Sequence, residues 1–322
     1  MSAAEIPSAC VTGGVDIGGT NITVGLVDES GRVLHRADMP TAPHLGFDAA
    51  MKRIAKLFEQ MSPGPGRHFA GIGMGCTGPV DPFSGEIGHV EHLPGWQGGN
   101  PVTALSRHFD ARVVLENDAD AAALGELRWG AGRQFRSLIC VTVGTGIGAG
   151  IIIDRALYRG VGGAHPELGH HSVDASGPLD YCGMRGCWEI LASGTAIAAH
   201  ARAEAPADYP GRDTLTTEEL CTRARAGDAF ARREVERAAR YLGIGVANLV
   251  TMYAPEAVLL SGNVMQSADL FLPTVRETVL QSCKLVPADQ VVIDLATLGN
   301  AAPLIGAAAT WHHRYPGDAR PC

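Results

Sequence analysis

Two stretches decide the fold: VDIGGTNITVGLVDESGRVL (residues 15–34) and VTVGTGIGAGIIIDRALYRG (residues 141–160). Laid over one another without a gap, they put Val141 on Val15, Gly144 on Gly18 and Asp154 on Asp28. In each, an apolar run meets a glycine turn, a second apolar run, a polar turn and a third run. Apolar runs broken by glycine and by Asp-Glu-Ser-Gly predict strand, turn, strand, turn, strand. The repetition reads as an internal duplication of one supersecondary unit. It predicts two domains, each opening on a β-hairpin with a glycine turn at its first corner.

Outward from the first copy, Phe47, Met51, Ile54, Leu57, Phe58 and Met61 recur at helical spacing. A buried strand is expected near 69–76, and another at 112–115. The latter runs into Glu116-Asn117-Asp118 and an Ala-rich helix to about Trp129. Beyond Cys187 the pattern predicts helices closing at 204, over 216–226, 228–253, 269–280 and 302–314, with strands at 258–260 and 291–293. Strands alternating with helices define an α/β protein.

The chain has 322 residues, 46% hydrophobic and 19% charged, which excludes a disordered polymer. Twenty-six basic residues against 34 acidic give a net charge of −8, with no clustered Lys and Arg. A nucleic-acid-binding surface is therefore not expected. The N-terminal residues carry no basic segment followed by an apolar one, and no apolar run reaches membrane-spanning length. A cytoplasmic protein without a membrane partner is expected. Most of the eight cysteines stand alone in apolar surroundings and read as reduced core residues.

Three clusters carry chemistry. Asp16, followed by Gly18, Gly19 and Thr20, combines a carboxylate suited to Mg²⁺ with glycines that let backbone N–H groups approach phosphate. Gly144, Thr145 and Gly146 form the second such turn. Gly144–Ala149 also fits the dinucleotide pattern G-x-G-x-x-A, but that pattern needs a helix next, and Ile151-Ile152-Ile153 is a strand. Asn117-Asp118 stands where a strand gives way to a helix, the place for a general base or an N-cap. The third cluster, ELGHHSVDASGPLDYCGMRGCWE, gathers Glu167, His170, Asp180, Cys182, Cys187 and Glu189. Thiolates and an imidazole in one loop suit tetrahedral Zn²⁺.

Taken together, DIGGT, GIGMGCTGPVD, END before an Ala-rich helix, VGTGIGAGI, ELGH, CGMRGCWE and LIGAA resemble the ROK family of sugar kinases and repressors (repressor, open reading frame, kinase). The resemblance implies an actin-like, hexokinase-type fold with two domains around a nucleotide cleft. Residues 1–118 with 305–322 would form the smaller domain, and 119–304 the larger one bearing the zinc-type loop. It implies an ATP- and Mg²⁺-dependent kinase acting on the 6-hydroxyl of a hexose, glucose first, with N-acetylmannosamine and fructose as alternatives. Asp118 would be the base, and Gly78, Asn117, Glu167, His170 and Glu189 would line the sugar. Gly18–Thr20 and Gly144–Gly146 would face the phosphates, with Gly262 beside the adenosine. His170, Cys182 and Cys187 would hold a structural zinc, with Asp180 where the family has a fourth cysteine. A homodimer is also implied. A regulator would need a helix-turn-helix before the kinase-like part, and the roughly fifteen residues ahead of Asp16 offer no basic one. Pro166, Asn21 and Asn263 depart from common family residues.

Overall fold

The computed structural model describes residues 9–316. The tails 1–8 and 317–322 of the expected first domain, Cys322 included, lie outside the described residues. The chain divides into two compact units.

The first unit opens with the hairpin pair β1 (Ala9–Ile17), β2 (Asn21–Asp28) and β3 (Val33–Pro40), antiparallel as the duplication predicts. Helix α1 (Phe47–Glu59) buries Met51, Ile54 and Phe58 of the expected set, together with Ala50 and Ala55, while Phe47, Leu57 and Met61 are only partly buried. Strand β4 (Arg67–Cys76) returns parallel to β1. A small hairpin, β5 (Val80–Asp81) and β6 (Glu86–Ile87), and helix α2 (Pro101–Phe109) lead to β7 (Val113–Asn117), parallel to β4. The sheet order is β3-β2-β1-β4-β7. Helix α3 (Asp118–Trp129) follows at once.

The second unit repeats the plan. Strands β8 (Leu138–Val143), β9 (Ile147–Ile153) and β10 (Ala156–Leu157) open it, followed by α4 (Trp188–Ala192), α5 (Gly194–Glu204), α6 (Thr217–Arg225) and α7 (Ala229–Tyr253). Strand β11 (Ala257–Ser261), helix α8 (Ala268–Ser282) and strand β12 (Val292–Leu295) complete it. Its sheet order, β10-β9-β8-β11-β12, is the order of the first sheet over again. Its core packs Trp188, Leu242, Val246 and Phe271 beneath the sheet residues Ile139, Val141 and Leu260. Among the described residues, no helix is long and apolar enough to cross a membrane.

The final helix α9 (Ala302–Arg314) belongs to the first unit, as expected, but the boundaries differ. The first unit holds the described residues to Gln134, then Leu157–His165, and resumes at Thr297. Helix α3, expected beyond the boundary at 118, stays with it. The reason is packing. Residues on every side of α3 are buried, and a Cβ on Gly125 would come 2.9 Å from Gly306 Cα on α9. The buried Glu126 carboxylate also accepts the backbone N–H groups of Thr297 (3.0 Å), Leu298 (2.9 Å) and Ala131 (2.9 Å).

Candidate functional site

In the first unit, three neighbouring strands end side by side. Asp16 on β1 pairs with Gly75 on β4, which pairs with Glu116 on β7, one residue before Asn117-Asp118. A Cβ on Gly75 would lie 3.5 Å from Asp118 Cα and 3.7 Å from Asp16 Oδ1, so the glycine keeps a gap between two acids. Burial, and then the negative charge of Asp118, push the Asp16 carboxyl up to about 7, while Arg36 pulls the other way. Two neighbouring acids, one of which raises the other's pKa, are a donor set that suits Mg²⁺.

Of the two roles expected at the Asn117-Asp118 corner, the N-cap falls to Asn117 and not to Asp118. Asn117 caps α3 through its Oδ1, which accepts the N–H groups of Ala119 (2.8 Å) and Asp120 (3.4 Å). Its amide nitrogen is not used by the cap. Asp118 is the first residue of the helix, and its Oδ1 accepts from Ala119 N at 2.9 Å. Capping thus rests on Asn117.

The Gly18–Thr20 turn is closed by Gly18 N–H donating to Asn21 O (3.0 Å). It is braced by Thr41, whose hydroxyl donates to Gly18 O (2.6 Å) and whose N–H donates to Thr20 O (2.8 Å). Thr20 itself is exposed. Gly78, in the loop after β4, has φ +81, and a Cβ there would strike Val90.

In the second unit, the turn between β8 and β9 is closed by Gly144 N–H to Gly146 O (2.9 Å). A Cβ on Gly144 would meet nothing within 4 Å, whereas one on Gly146 would strike the Glu189 carboxylate. Glu189 Oε2 accepts Ile147 N–H at 2.8 Å, and Gly194 N–H, at the start of α5, donates to Gly144 O at 2.8 Å. Glu189, expected at the sugar, is placed by the structure as the brace of this turn. Gly262 (φ +93) follows β11 and would strike the Val143 carbonyl with any side chain. Thr145 lies at the tip of the β8–β9 turn, and Glu167 is exposed just before the 3-10 turn that carries His170.

The expected metal loop is assembled. Bridges Ser172–Cys187 and Leu179–Arg185 narrow it, and Gly183 N–H closes on Asp180 O (3.0 Å). His170 Nδ1 lies 2.8 Å from Asp180 Oδ2, and the two sulfurs are 3.4 Å apart. Ligand atoms of His170, Asp180, Cys182 and Cys187 all fall within 4.8 Å of one another. Tetrahedral zinc with these donors needs separations of about 3.3–3.8 Å, so the His170–Asp180 and sulfur–sulfur pairs would open slightly while the wider ones close. Burial works against the Asp180 charge, but hydrogen bonds from Cys182, Cys187 and His170 outweigh it and hold the carboxyl below its usual value. Burial pushes the Cys187 thiol up to about 12, with Cys182 and Asp180 adding to the rise. The donor set fits zinc, with a carboxylate doing the gathering that a thiolate would otherwise do. One partner was not anticipated: the exposed Tyr181, whose hydroxyl lies 2.8 Å from His170 Nε2.

These strand-end acids, paired glycine turns and a Cys/His loop on a duplicated α/β plan define an actin-like phosphotransferase. The ROK family matches residues 12–314, and the chain belongs to that family. It is 35% identical to a glucokinase of Streptomyces coelicolor over 92% of this chain and 96% of that one. Among solved structures, a ROK glucokinase from Streptomyces griseus in complex with glucose and AMPPNP is 33% identical, with TM-score 0.78, covering 93% of this chain and 98% of that one. A ROK hexokinase from Thermus thermophilus is 34% identical, with TM-score 0.80, over 95% and 100%. Within its family the chain is a sugar kinase of the hexokinase type.

Proposed function

We propose that this kinase transfers the γ-phosphoryl group of ATP to the 6-hydroxyl of glucose. The observation that carries the reading is the pair Asp16 and Asp118 on either side of Gly75, at adjoining strand ends. The relatives named glucokinase, one in complex with glucose and AMPPNP, support the choice of sugar and donor. Asp118 takes the hydroxyl proton as the phosphoryl group arrives. Asn117 donates its amide to a sugar hydroxyl, and Glu167, His170 and Glu189 match others, since each buried hydroxyl needs a partner. Gly78 leaves room for the ring. The turns Gly18–Thr20 and Gly144–Gly146 receive phosphate oxygens on the backbone N–H groups that their own closure, by Gly18 and Gly144, does not use, and Gly262 keeps side chains away from the adenosine. Asp16 would hold Mg²⁺, through water, and the ion supplies charge neutralisation at the phosphates. Little else is required, because phosphoryl transfer is mostly positioning and charge stabilisation.

His170, Asp180, Cys182 and Cys187 would hold a structural zinc that fixes the His170 ring through Nδ1. Metal analysis should find about one zinc per chain, and Asp180→Cys should slow its loss to a chelator. Zinc-free protein with unchanged glucose affinity would remove the metal from the account. A cytoplasmic homodimer is part of the same reading, from family membership. The sugar is tested by ADP formation with glucose, mannose, fructose and N-acetylmannosamine, ranked by kcat/KM. Glucose should lead; a clear lead for another sugar reassigns the substrate.

A further inference from the structure

The segment Leu157–His165 leaves the second sheet and packs with the first unit. It brings an arginine and a histidine to the corner that carries Asp118. Arg159 forms an ion pair with Glu116, two residues before Asp118. His165 Nδ1 lies 3.0 Å from Asp120 Oδ1, two residues after it. All four side chains are largely buried; Asp120 is 3% exposed and His165 10%. The strap is itself shaped, with Gly160 N–H donating to Ala164 O (2.7 Å) and Gly163 N–H to Gly160 O (3.1 Å). Gly163 (φ +84) fits against the Phe83 ring, over which the Arg314 guanidinium sits at 5.5 Å.

We propose that Arg159 and His165 are positioning residues for phosphoryl transfer, clamping the Asn117-Asp118 corner through Glu116 and Asp120. The inference rests on Asp118 being the base. Neither pair reaches the reacting atoms. A buried ion pair contributes little net stability compared with apolar packing of the same volume, so Arg159–Glu116 on one side of Asp118 and the buried His165–Asp120 contact on the other argue for geometry. A catalytic group must be held within a fraction of an ångström, and rigid buried partners do that. Burial pushes the Glu116 carboxyl up to about 7 against the pull of Arg159, so this pair is already working against its surroundings.

The test compares Glu116→Gln with Arg159→Met, Asp120→Asn with His165→Gln, and each double variant, in wild-type and Asp118→Asn backgrounds. Double variants avoid stranding one buried charge, so they keep the test open if a single variant fails to fold. Each double variant should melt near wild type, lose roughly tenfold or more in kcat with glucose, and change the ATP KM less than about twofold. Arg159→Lys should restore part of the loss. In the Asp118→Asn background the same changes should cost almost nothing more, because the group being positioned is already gone. Full kcat in both double variants, or an equal loss with and without Asp118, would overturn the proposal. Wild type assayed alongside separates the two readings. Active wild type with unaffected variants sinks the strap alone, whereas wild type without glucose-dependent ADP formation sinks the kinase assignment and the strap with it.

Discussion

The two glycine turns are copies in sequence and in topology, yet their surroundings have diverged. The first follows a carboxylate, Asp16, and is braced by the hydroxyl and N–H of Thr41. The position matching Asp16 in the second copy is Thr142, which lies 3.1 Å from Ser261 Oγ. That second turn is braced by a carboxylate from outside the hairpin, Glu189, and by the first residue of α5. Gly19 is wedged against His92, with a Cβ only 2.7 Å from that side chain's own Cβ, while Gly144 opens onto empty space. Duplication supplied two backbone cradles, and the acid was kept beside only one of them. In the proposed reading the first half would carry the cation and the base, and the second a phosphate cradle braced by Glu189.

The largest effect that sharpens this contrast is at the acidic half. Asp118→Asn keeps the shape of the corner but cannot accept a proton, and loss of a general base costs roughly 10²–10⁴-fold in kcat. Glucose affinity measured by calorimetry should change far less. Retention of kcat within a few-fold would return Asp118 to a purely structural place at the start of α3.

Next come the glycines themselves. Gly144→Ala should leave the melting temperature unchanged and raise the ATP KM, roughly tenfold if the new methyl crowds a phosphate by about 1.4 kcal/mol. Gly19→Ala should do the reverse in stability, losing about 1–3 kcal/mol through overpacking against His92. Equal melting temperatures for the two variants, read by calorimetry, would erase the proposed difference between the turns.

The smallest effect concerns pH. Without metal, the raised Asp16 pKa means the folded protein binds a proton more tightly than the unfolded chain between about pH 4 and 7. Stability from this group is therefore fully present below about pH 4 and is lost as pH rises through about 7. Magnesium favours the ionised form, so its affinity should rise with pH up to about 7 and then level off. Titration at pH 5.5, 6.5 and 7.5 checks this, and Asp16→Asn should flatten the profile. A pH-independent affinity in the parent protein would move the cation away from Asp16.

Much of the fold was legible because periodicity carries it. The paired hairpins, α1, α7 and the 302–314 helix follow directly from apolar spacing and from glycine turns. Helix α2 was missed although it has a start signal, since Asn100 caps Thr103 N–H and Pro101 stands at the first position. The boundary at 118 failed because an Ala-rich helix has no apolar stripe to show which unit it serves. Its partner, Gly306, is known only once the chain has folded. The site residues of the Cys/His loop were recoverable from local spacing, and the structure brings all four donors together. Thr41, Tyr181, Arg159 and His165 left no such mark. Their partners are distant in sequence or face them only through a loop without period, as in LYRGVGGAH.

The most direct test of the account is the product formed from glucose and Mg-ATP, followed by phosphorus NMR with ADP measured in parallel. The account predicts one ADP per glucose consumed and a phosphorus resonance coupled to the two C6 protons, as in a hexose 6-phosphate. ADP release that ignores the sugar, or phosphate attached at another carbon, would contradict it.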